Sequence, residues 1–359
     1  MSRCAGLWMT LMAAALFALA CADDSARPAT ATSNTAGTGG AQAPTSDPHA
    51  RALATSASHT CALRKAGLYC WGANDTGQLG DGSTASATSP VKAAIDTADV
   101  VEVAVNTGRS CVRRRSGKVA CWGANANGQL GDGTRDDSLD PVEVALDDAA
   151  QLALSENTSC ALRDDGSVWC WGGSPDGSSE EGSLEPKPVD GLEGALALHS
   201  GQMSSYCARG ESWTRCWHLD AGAWTAPAEL PDLAAASGIA LASAQEVCGI
   251  VSGGEVVCSA VNGGSSARLS GSRGTIQLAG GLLTVCGGDI VGAWYCWNIL
   301  SPMVLQAIGA PRSELTRGPF DQLVTAGFRY CGLGPSGDVQ CVERNAPSPQ
   351  WTPVADLPD

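Results

Sequence analysis

Fourteen cysteines set the strongest limit on what this chain can fold into, because they fall into seven pairs of nearly constant width. The pairs are Cys61/Cys70, Cys111/Cys121, Cys160/Cys170, Cys207/Cys216, Cys248/Cys258, Cys286/Cys296 and Cys331/Cys341, each nine or ten residues wide. Their first members follow one another at intervals of 38 to 50 residues, with a mean of 45. A period sustained along a chain marks a repeat architecture, and about 45 residues is the length of one four-stranded propeller blade. Seven such units fill residues 51–359. The expected fold is all-β: a seven-bladed β-propeller of four-stranded antiparallel blades.

The inside of a pair can be read directly. Folding the ends of Cys160–Cys170 together sets Ala161 opposite Trp169, Leu162 opposite Val168 and Arg163 opposite Ser167, leaving Asp164, Asp165 and Gly166 as the loop. The last residue of a three-residue hairpin loop wants a left-handed backbone, which glycine adopts without steric cost. Gly117, Gly166, Gly254, Gly292 and Gly337 all stand there, six residues after the first cysteine. Gly67 holds the same place in the nine-spaced first pair, and Trp213 replaces glycine in the fourth. Cysteines directly opposed on antiparallel strands lie about 5 Å apart between α-carbons, within disulfide reach. Structural zinc sites use cysteines two to four residues apart, so one cystine per blade is the expectation. Closing a loop of about ten residues contributes on the order of 2–3 kcal/mol in the chain-entropy account.

An apolar residue stands eight places before the first cysteine in six units: Leu53, Val103, Leu152, Ala240, Leu278 and Leu323, with His199 the exception. It marks a strand leading into each hairpin. The repeat region begins with that strand, at residues 51–56, while residues 348–357 resemble the segments that follow earlier hairpins, such as Ser89-Pro90-Val91 and Asp140-Pro141-Val142. The amino-terminal segment is therefore expected to complete the last blade, so that pairing of the first and last strands closes the ring and removes its open edges.

Ahead of the repeats, residues 1–20 read as an export signal: Arg3, then an uncharged stretch from Ala5 to Ala20 ending in small residues. Ala18-Leu19-Ala20-Cys21 resembles a bacterial lipobox in which Cys21 is acylated after cleavage. Cysteine parity agrees, since the fourteen pair among themselves and leave Cys21 over. Residues 21–50 carry almost no apolar bulk and are expected to form a flexible tether. The domain plan is signal 1–20, lipidated tether 21–50 and propeller 51–359, on an exported cell-envelope or cell-surface lipoprotein that meets the membrane only through its lipid, with a secreted protein as the alternative.

The stretches Cys70-Trp-Gly-Ala-Asn-Asp-Thr-Gly-Gln-Leu-Gly-Asp-Gly82 and Cys121-Trp-Gly-Ala-Asn-Ala-Asn-Gly-Gln-Leu-Gly-Asp-Gly133 resemble the regulator-of-chromosome-condensation repeat. His59 with Ala62-Leu63 matches the opening of that signature. The third unit keeps Cys170-Trp171-Gly172 but loses Gly-Gln-Leu-Gly, and later units keep the cysteines, the turn glycine and sometimes Trp217 or Trp297. The resemblance implies a seven-bladed propeller. Its eponymous members are nuclear exchange factors for a small GTPase that dock on chromatin, a setting an exported, disulfide-rich chain does not share. Other relatives are secreted bacterial proteins that bind a partner protein, among them an inhibitor of β-lactamases.

A formal charge of −15 turns a repulsive surface toward phosphate backbones, which excludes nucleic acid as the natural partner. The four histidines, His49, His59, His199 and His218, form no catalytic or ligating spacing with cysteine or carboxylates. The loops holding Asn74, Asp75 and Asp81, and Asn125 and Asp132, carry oxygens that suit calcium, but a Gly-Asp-Gly turn needs no ion, so no cofactor is expected. Tryptophans that follow the second cysteine are expected to pack between blades. Trp213 and Trp224 fall outside that register, and with Tyr206 they are the candidate partner-binding residues, because exposed aromatics anchor interfaces. The expected function is a non-catalytic, surface-tethered scaffold for a protein partner, with a carbohydrate- or envelope-binding propeller as the alternative. Mass spectrometry of the mature amino terminus should show acylated Cys21; an unmodified cysteine there would refute the lipid anchor.

Overall fold

The computed structural model describes residues 52–173, 183–201, 204–220, 223–243, 245–281, 284–290, 293–298, 320–326, 329–334, 336–343, 351–355 and 357. The export, lipidation and tether assignments, Gly292 and His49 lie outside these residues. The chain is an all-β ring of seven four-stranded antiparallel blades, each strand pairing with the next in sequence from the axis outward. Blade 1 is typical, with strands Ala52–Thr55, His59–Arg64, Gly67–Gly72 and Ala87–Lys92. In blade 4 the third strand, Thr214–Asp220, pairs with two short outer pieces, Ala223–Trp224 and Ala228–Glu229. Three strands of blade 6 lie among the described residues.

Each blade carries one cystine across its middle hairpin: Cys61–Cys70, Cys111–Cys121, Cys160–Cys170, Cys207–Cys216, Cys248–Cys258, Cys286–Cys296 and Cys331–Cys341. The two cysteines of a blade face each other directly in the strand register, Cys207 opposite Cys216, Cys248 opposite Cys258 and Cys286 opposite Cys296 among them. Their α-carbons are 3.9–4.1 Å apart, closer than the 5 Å expected from the sequence. Opposed residues that exchange no backbone hydrogen bonds are the closely spaced pairs of an antiparallel ladder, at about 4.5 Å. Cys216 and Cys258 are buried like their partners, whereas Cys296 and Cys341 are half-buried on the third strands of blades 6 and 7.

The rest of the register follows suit, with Ala161 opposite Trp169 and Leu162 opposite Val168 around Cys160 and Cys170. Where the whole loop is described, the ten-spaced pairs make the three-residue turn, in which Gly166 has φ 81° and donates its N–H to the carbonyl of Arg163 at 3.0 Å. The nine-spaced pairs turn more tightly. Arg64 pairs directly with Gly67 around Lys65-Ala66, which puts Gly67 in the strand rather than in the loop.

The innermost strands run around the axis as Ala52–Thr55, Val100–Asn106, Ala149–Leu154, Ala197–Ser200, Gly238–Leu241, Gln277–Gly281 and Gln322–Ala326. Each touches its two neighbours, the last touching the first. The residue facing the position just after the first cysteine is Leu53, Val103, Leu152, Leu198, Ile239, Leu278 and Leu323 in turn. All seven are apolar and buried. His199 and Ala240 are displaced from that position because blades 4 and 5 carry one more residue between this strand and the first cysteine. The exception seen in the sequence is a shift of frame.

Ring closure differs from the expectation. Among the described residues the terminal strands share no sheet: Ala52–Thr55 pairs with His59–Arg64 in blade 1, and Thr352–Pro353 pairs with Val339–Glu343 in blade 7. Each repeat already supplies its strands in spatial order, so the chain is cut between blades and neither end is short of a strand. Side chains close the ring instead. The Gln322 carboxamide accepts from the Leu53 N–H at 3.2 Å and donates to the Leu53 carbonyl at 2.9 Å. Gln151 clasps Leu198 across the junction of blades 3 and 4 in the same way, at 2.9 and 2.7 Å. The seam is thus built like an interior junction, with Arg64 adding a hydrogen bond to the carbonyl of Gly337.

Two buried histidines sit in this ring. The Ser110 hydroxyl donates to the carbonyl of Gln78 at 2.8 Å, so it accepts the 2.8 Å contact from His59 Nε2, whose Nδ1 faces Ser56 and Ser58 at 3.1 and 3.0 Å. Among the described residues His199 has no hydrogen-bond partner at either ring nitrogen. Burial pulls both imidazoles down to about 3, aided at His199 by the positive charge of Arg209.

Replacing Gln322 by Ala should strand two buried backbone groups at the seam and cost about 1–3 kcal/mol. Hydrogen exchange should then rise first at Ala52–Thr55, whereas Gln151→Ala should raise it between blades 3 and 4. Because both histidines have folded pKa values below the unfolded 6.5, the unfolded chain takes up protons that the native chain refuses as pH falls below that value. Stability should hold above pH 6.5 and fall toward pH 3, each histidine contributing up to about 1.4 kcal/mol per pH unit. Denaturant unfolding between pH 7 and 5 should show this slope, and His199→Leu should flatten it.

Candidate binding surfaces

Blade 4 holds the three aromatic residues singled out in the sequence, and the fold brings Tyr206 and Trp224 together while setting Trp213 apart. Tyr206 faces Trp217 across the middle hairpin, rings stacked at 5.7 Å and 20°, and Trp224 leans on Tyr206 at 5.8 Å and 59°. The Tyr206 hydroxyl lies 2.8 Å from Thr158 Oγ1 in blade 3, and burial pushes its pKa up. Tyr206 is 0% exposed, which removes it from any surface patch and makes it part of the packing between blades 3 and 4. Trp224 above it is half-buried.

Trp213 sits at the opposite end of the hairpin, roughly 13 Å along the strand by its rise per residue. There the sequence lacks the turn glycine. The N–H of Gly210 donates to the carbonyl of Trp213 at 2.9 Å, which leaves Glu211-Ser212 as a tight tip. The indole lies on Gly210, where a β-carbon would come within 2.2 Å of it. Arg215 stacks its guanidinium 5.0 Å above the Trp213 ring while binding the Gly191 carbonyl at 2.8 Å and Glu229 at 3.1 Å. Both side chains are half-buried. A planar cation held over an indole at a hairpin tip combines the two residue types most enriched at the energetic centres of interfaces.

The tryptophans after the second cysteine take the packing role expected of them, and the structure shows what their neighbours supply. Trp122 Nε1 and the Ser110 hydroxyl both donate to the carbonyl of Gln78, at 3.1 and 2.8 Å. Trp171 and Ser159 do the same to Gln129, at 3.0 and 2.8 Å. The Gly-Gln-Leu-Gly loop of one blade therefore plugs onto the indole of the next. Gly80 and Gly131 have φ of 69° and 76°, and a β-carbon on either would lie 2.6 Å from the indole nitrogen. Trp297, next to Cys296, finds an equivalent acceptor in the carbonyl of Ser270 at 3.1 Å. Trp217, next to Cys216, finds none among the described residues, where its Nε1 is buried without a partner. Blade 5 has Ser259 after Cys258 in place of an indole.

The polar loop residues are absorbed by the same plug. Asn74 accepts from the N–H of Leu79 at 2.9 Å and donates to Asp81 and to the carbonyls of Ser83 and Ala85. Asn125 and Asp132 repeat the arrangement. Among the described residues, no three His, Cys, Asp or Glu side chains gather closely enough to hold a metal ion. His199 is buried, and His218, half-buried, lies beside Thr225.

A cleft of about 720 Å³ opens at the seam between blades 7 and 1. Trp71, Ser86–Pro90, Arg329, Glu343 and Thr352–Ala355 line it. Nothing in the sequence pointed to it, because it arises where the last repeat meets the first.

Comparison with known proteins agrees with this geometry. A profile of the Regulator of chromosome condensation (RCC1) repeat matches residues 50–78, 100–129 and 149–178, and a second profile of the same repeat matches residues 65–111 and 116–162. The ultraviolet-B receptor UVR8 of Arabidopsis thaliana is 34% identical over 91 residues, which are 24% of this chain and 21% of the receptor. The chain thus matches about a fifth of that relative's length. Among solved structures, Prp20p of Saccharomyces cerevisiae superposes with a TM-score of 0.57 at 20% identity, covering 69% of this chain and 71% of that one. The computationally designed Ika8 protein does so with 0.52 at 13% identity, covering 89% and 90%. At these identities the likeness is one of fold. Both lines of comparison, with the indole plugs and the ring itself, make this chain a seven-bladed propeller with one disulfide in each blade that carries regulator of chromosome condensation repeats in its first three blades.

Proposed function

We propose that this protein is a non-catalytic scaffold, exported and tethered to the cell surface through Cys21, which binds a protein partner through loops on one face of its ring. The observation that carries the reading is the Trp213–Arg215 pair, in which Trp213 flanks the hairpin tip at a position that holds glycine in the other blades, and which is held half-buried by Gly210, Gly191 and Glu229. Propellers of this type serve protein interaction elsewhere: Prp20p was solved together with its binding properties to Gsp1p and histones, and yeast RCC1 (Prp20) was solved bound to Kap60. Acidic charge argues for a neutral or basic partner surface here. The glycan-binding alternative rests on Trp224, whose half-buried ring offers a face for stacking against a sugar.

Affinity capture with the mature chain from envelope extracts should yield a partner whose retention falls at least tenfold for Trp213→Ala and for Arg215→Ala, with the fold intact by circular dichroism. Undiminished capture by both variants would remove this face from the account. Binding on a glycan array that is lost in Trp224→Ala would favour the alternative instead.

A further inference from the structure

The middle hairpins of the first four blades differ in charge where they turn. In blades 1 and 2 the turns carry Lys65, Arg115 and Lys118, exposed and without an ion-pair partner among the described residues. In blades 3 and 4 they carry Asp164, Asp165 and Glu211, and the segment that joins these two blades adds Asp190 and Glu193, all exposed. Among the described residues, Asp164, Asp190, Glu193 and Glu211 have no ion-pair partner, and Asp165 lies a distant 3.9 Å from Arg163. The arginines of this corner do not offset them. Arg163 binds Asp148 at 2.6 Å, Arg215 binds Glu229 at 3.1 Å, and Arg209 is half-buried with its charge acting on His199.

Amid these carboxylates stands an apolar side chain that folding does not cover. Leu196 is 48% exposed, although the strand that follows it, Ala197–Ser200, is buried throughout. Hydrogen bonds fix its place. The Ala195 N–H donates to the carbonyl of Gly166 in the blade 3 turn at 2.9 Å, and the Leu196 N–H donates to that of Arg209 at 2.7 Å. Arg209 precedes the Gly210 on which the Trp213 indole lies. Leu196 is thus set between the Asp164-Asp165 turn and the Glu211-Ser212 tip, with Glu193 three residues before it. Ile276 holds the same place in blade 6, its N–H donating to the carbonyl of Gly288 at 2.9 Å. There the neighbouring turn's carboxylate, Glu255, is shared by Arg268 and Arg273, which leaves no surplus of negative charge.

One kind of ligand satisfies both features of the corner at Leu196. An apolar side chain laid on the leucine takes it out of water, and cations on either side meet the carboxylates. A purely apolar ligand would desolvate the carboxylates with nothing in return, and an acidic one would be repelled. From this we infer that the corner between the turns of blades 3 and 4 docks a basic segment of a partner protein, in which lysine or arginine side chains flank an apolar residue seated on Leu196. The inference rests on the reading of the protein as a protein-binding ring and specifies the partner's chemistry beside Trp213 and Arg215.

The test titrates the full chain with a capped synthetic peptide, Ser-Lys-Lys-Leu-Lys-Lys-Ser. Isothermal titration calorimetry should show saturable binding at one site, weakening as salt rises from about 50 to 200 mM. Serine in place of the peptide's leucine should weaken binding about 3- to 30-fold, and glutamate in place of its lysines should abolish it. Neither result depends on how a protein variant folds. Glu193→Gln with Glu211→Gln should weaken binding about 2- to 10-fold. Asp136→Asn with Asp140→Asn, which removes two exposed carboxylates from the outer part of blade 2, should leave it unchanged. Equal weakening by the two pairs of substitutions would reduce the binding to net charge and overturn the inference. So would equal affinity of the leucine and serine peptides, or no saturable binding at about millimolar peptide. Sedimentation showing that the free chain pairs with itself, and that Leu196→Ser disperses the pair, would give the corner to a second copy and also overturn it. Capture of a partner that depends on Trp213 and Arg215 would leave the scaffold reading standing in every one of these cases.

Discussion

The cross-strand cystine at the centre of each blade is the constraint on which the rest of the structure depends. Slipping one strand of a hairpin by a single residue would turn every side chain to the opposite face. Blades as rich in Gly, Ala and Ser as these have little bulk with which to resist such a slip. A covalent bond between directly opposed residues forbids it. With Cys61 fixed opposite Cys70, Thr60 must face Trp71 and His59 must face Gly72. The Cys207–Cys216 and Cys286–Cys296 bonds likewise hold Trp217 opposite Tyr206 and Trp297 opposite Val285. The indole is thereby presented at one height around the ring, ready for whatever the neighbouring blade offers.

What the neighbour offers is a backbone carbonyl, and this is how a register within one blade becomes contact between two. A tryptophan N–H and a serine hydroxyl converging on Gln78 or Gln129 satisfy two buried donors with one acceptor, in a slot shaped so that only glycine fits beside the ring. Nearer the axis, carboxamides do the corresponding work on strand backbones, and the Gln322–Leu53 clasp shows that the seam obeys the same rule as the junction at Gln151 and Leu198. A closed ring needs no shared terminal strand when its seam is bridged in this way. Where the motif has decayed, the consequences differ by place. At blade 4 Trp217 stacks on Tyr206, while at the seam Trp71 lines a cleft.

The candidate surfaces were only partly legible in the sequence. Trp213 was conspicuous because a glycine was due at its position, and the structure gives it a setting suited to contact. Tyr206 was misplaced, since a β-strand of alternating faces does not reveal which face a neighbouring blade will cover. His199 broke the apolar pattern for a similar reason: one extra residue before the first cysteine shifts the frame, and only strand pairing identifies Leu198 as the true counterpart of Leu53.

Spacing along the chain by itself determined the number of blades, the identity of each cystine and the three-residue turns at Gly117 and Gly166, because these depend on contacts within a dozen residues. It also placed the tryptophans between blades. Tertiary structure alone decided how the ends meet, which aromatic residues are covered and that a cleft remains beside Trp71. Those outcomes depend on residues some 270 positions apart, such as Leu53 and Gln322, and no local pattern encodes what the far end of a ring will bring to its beginning.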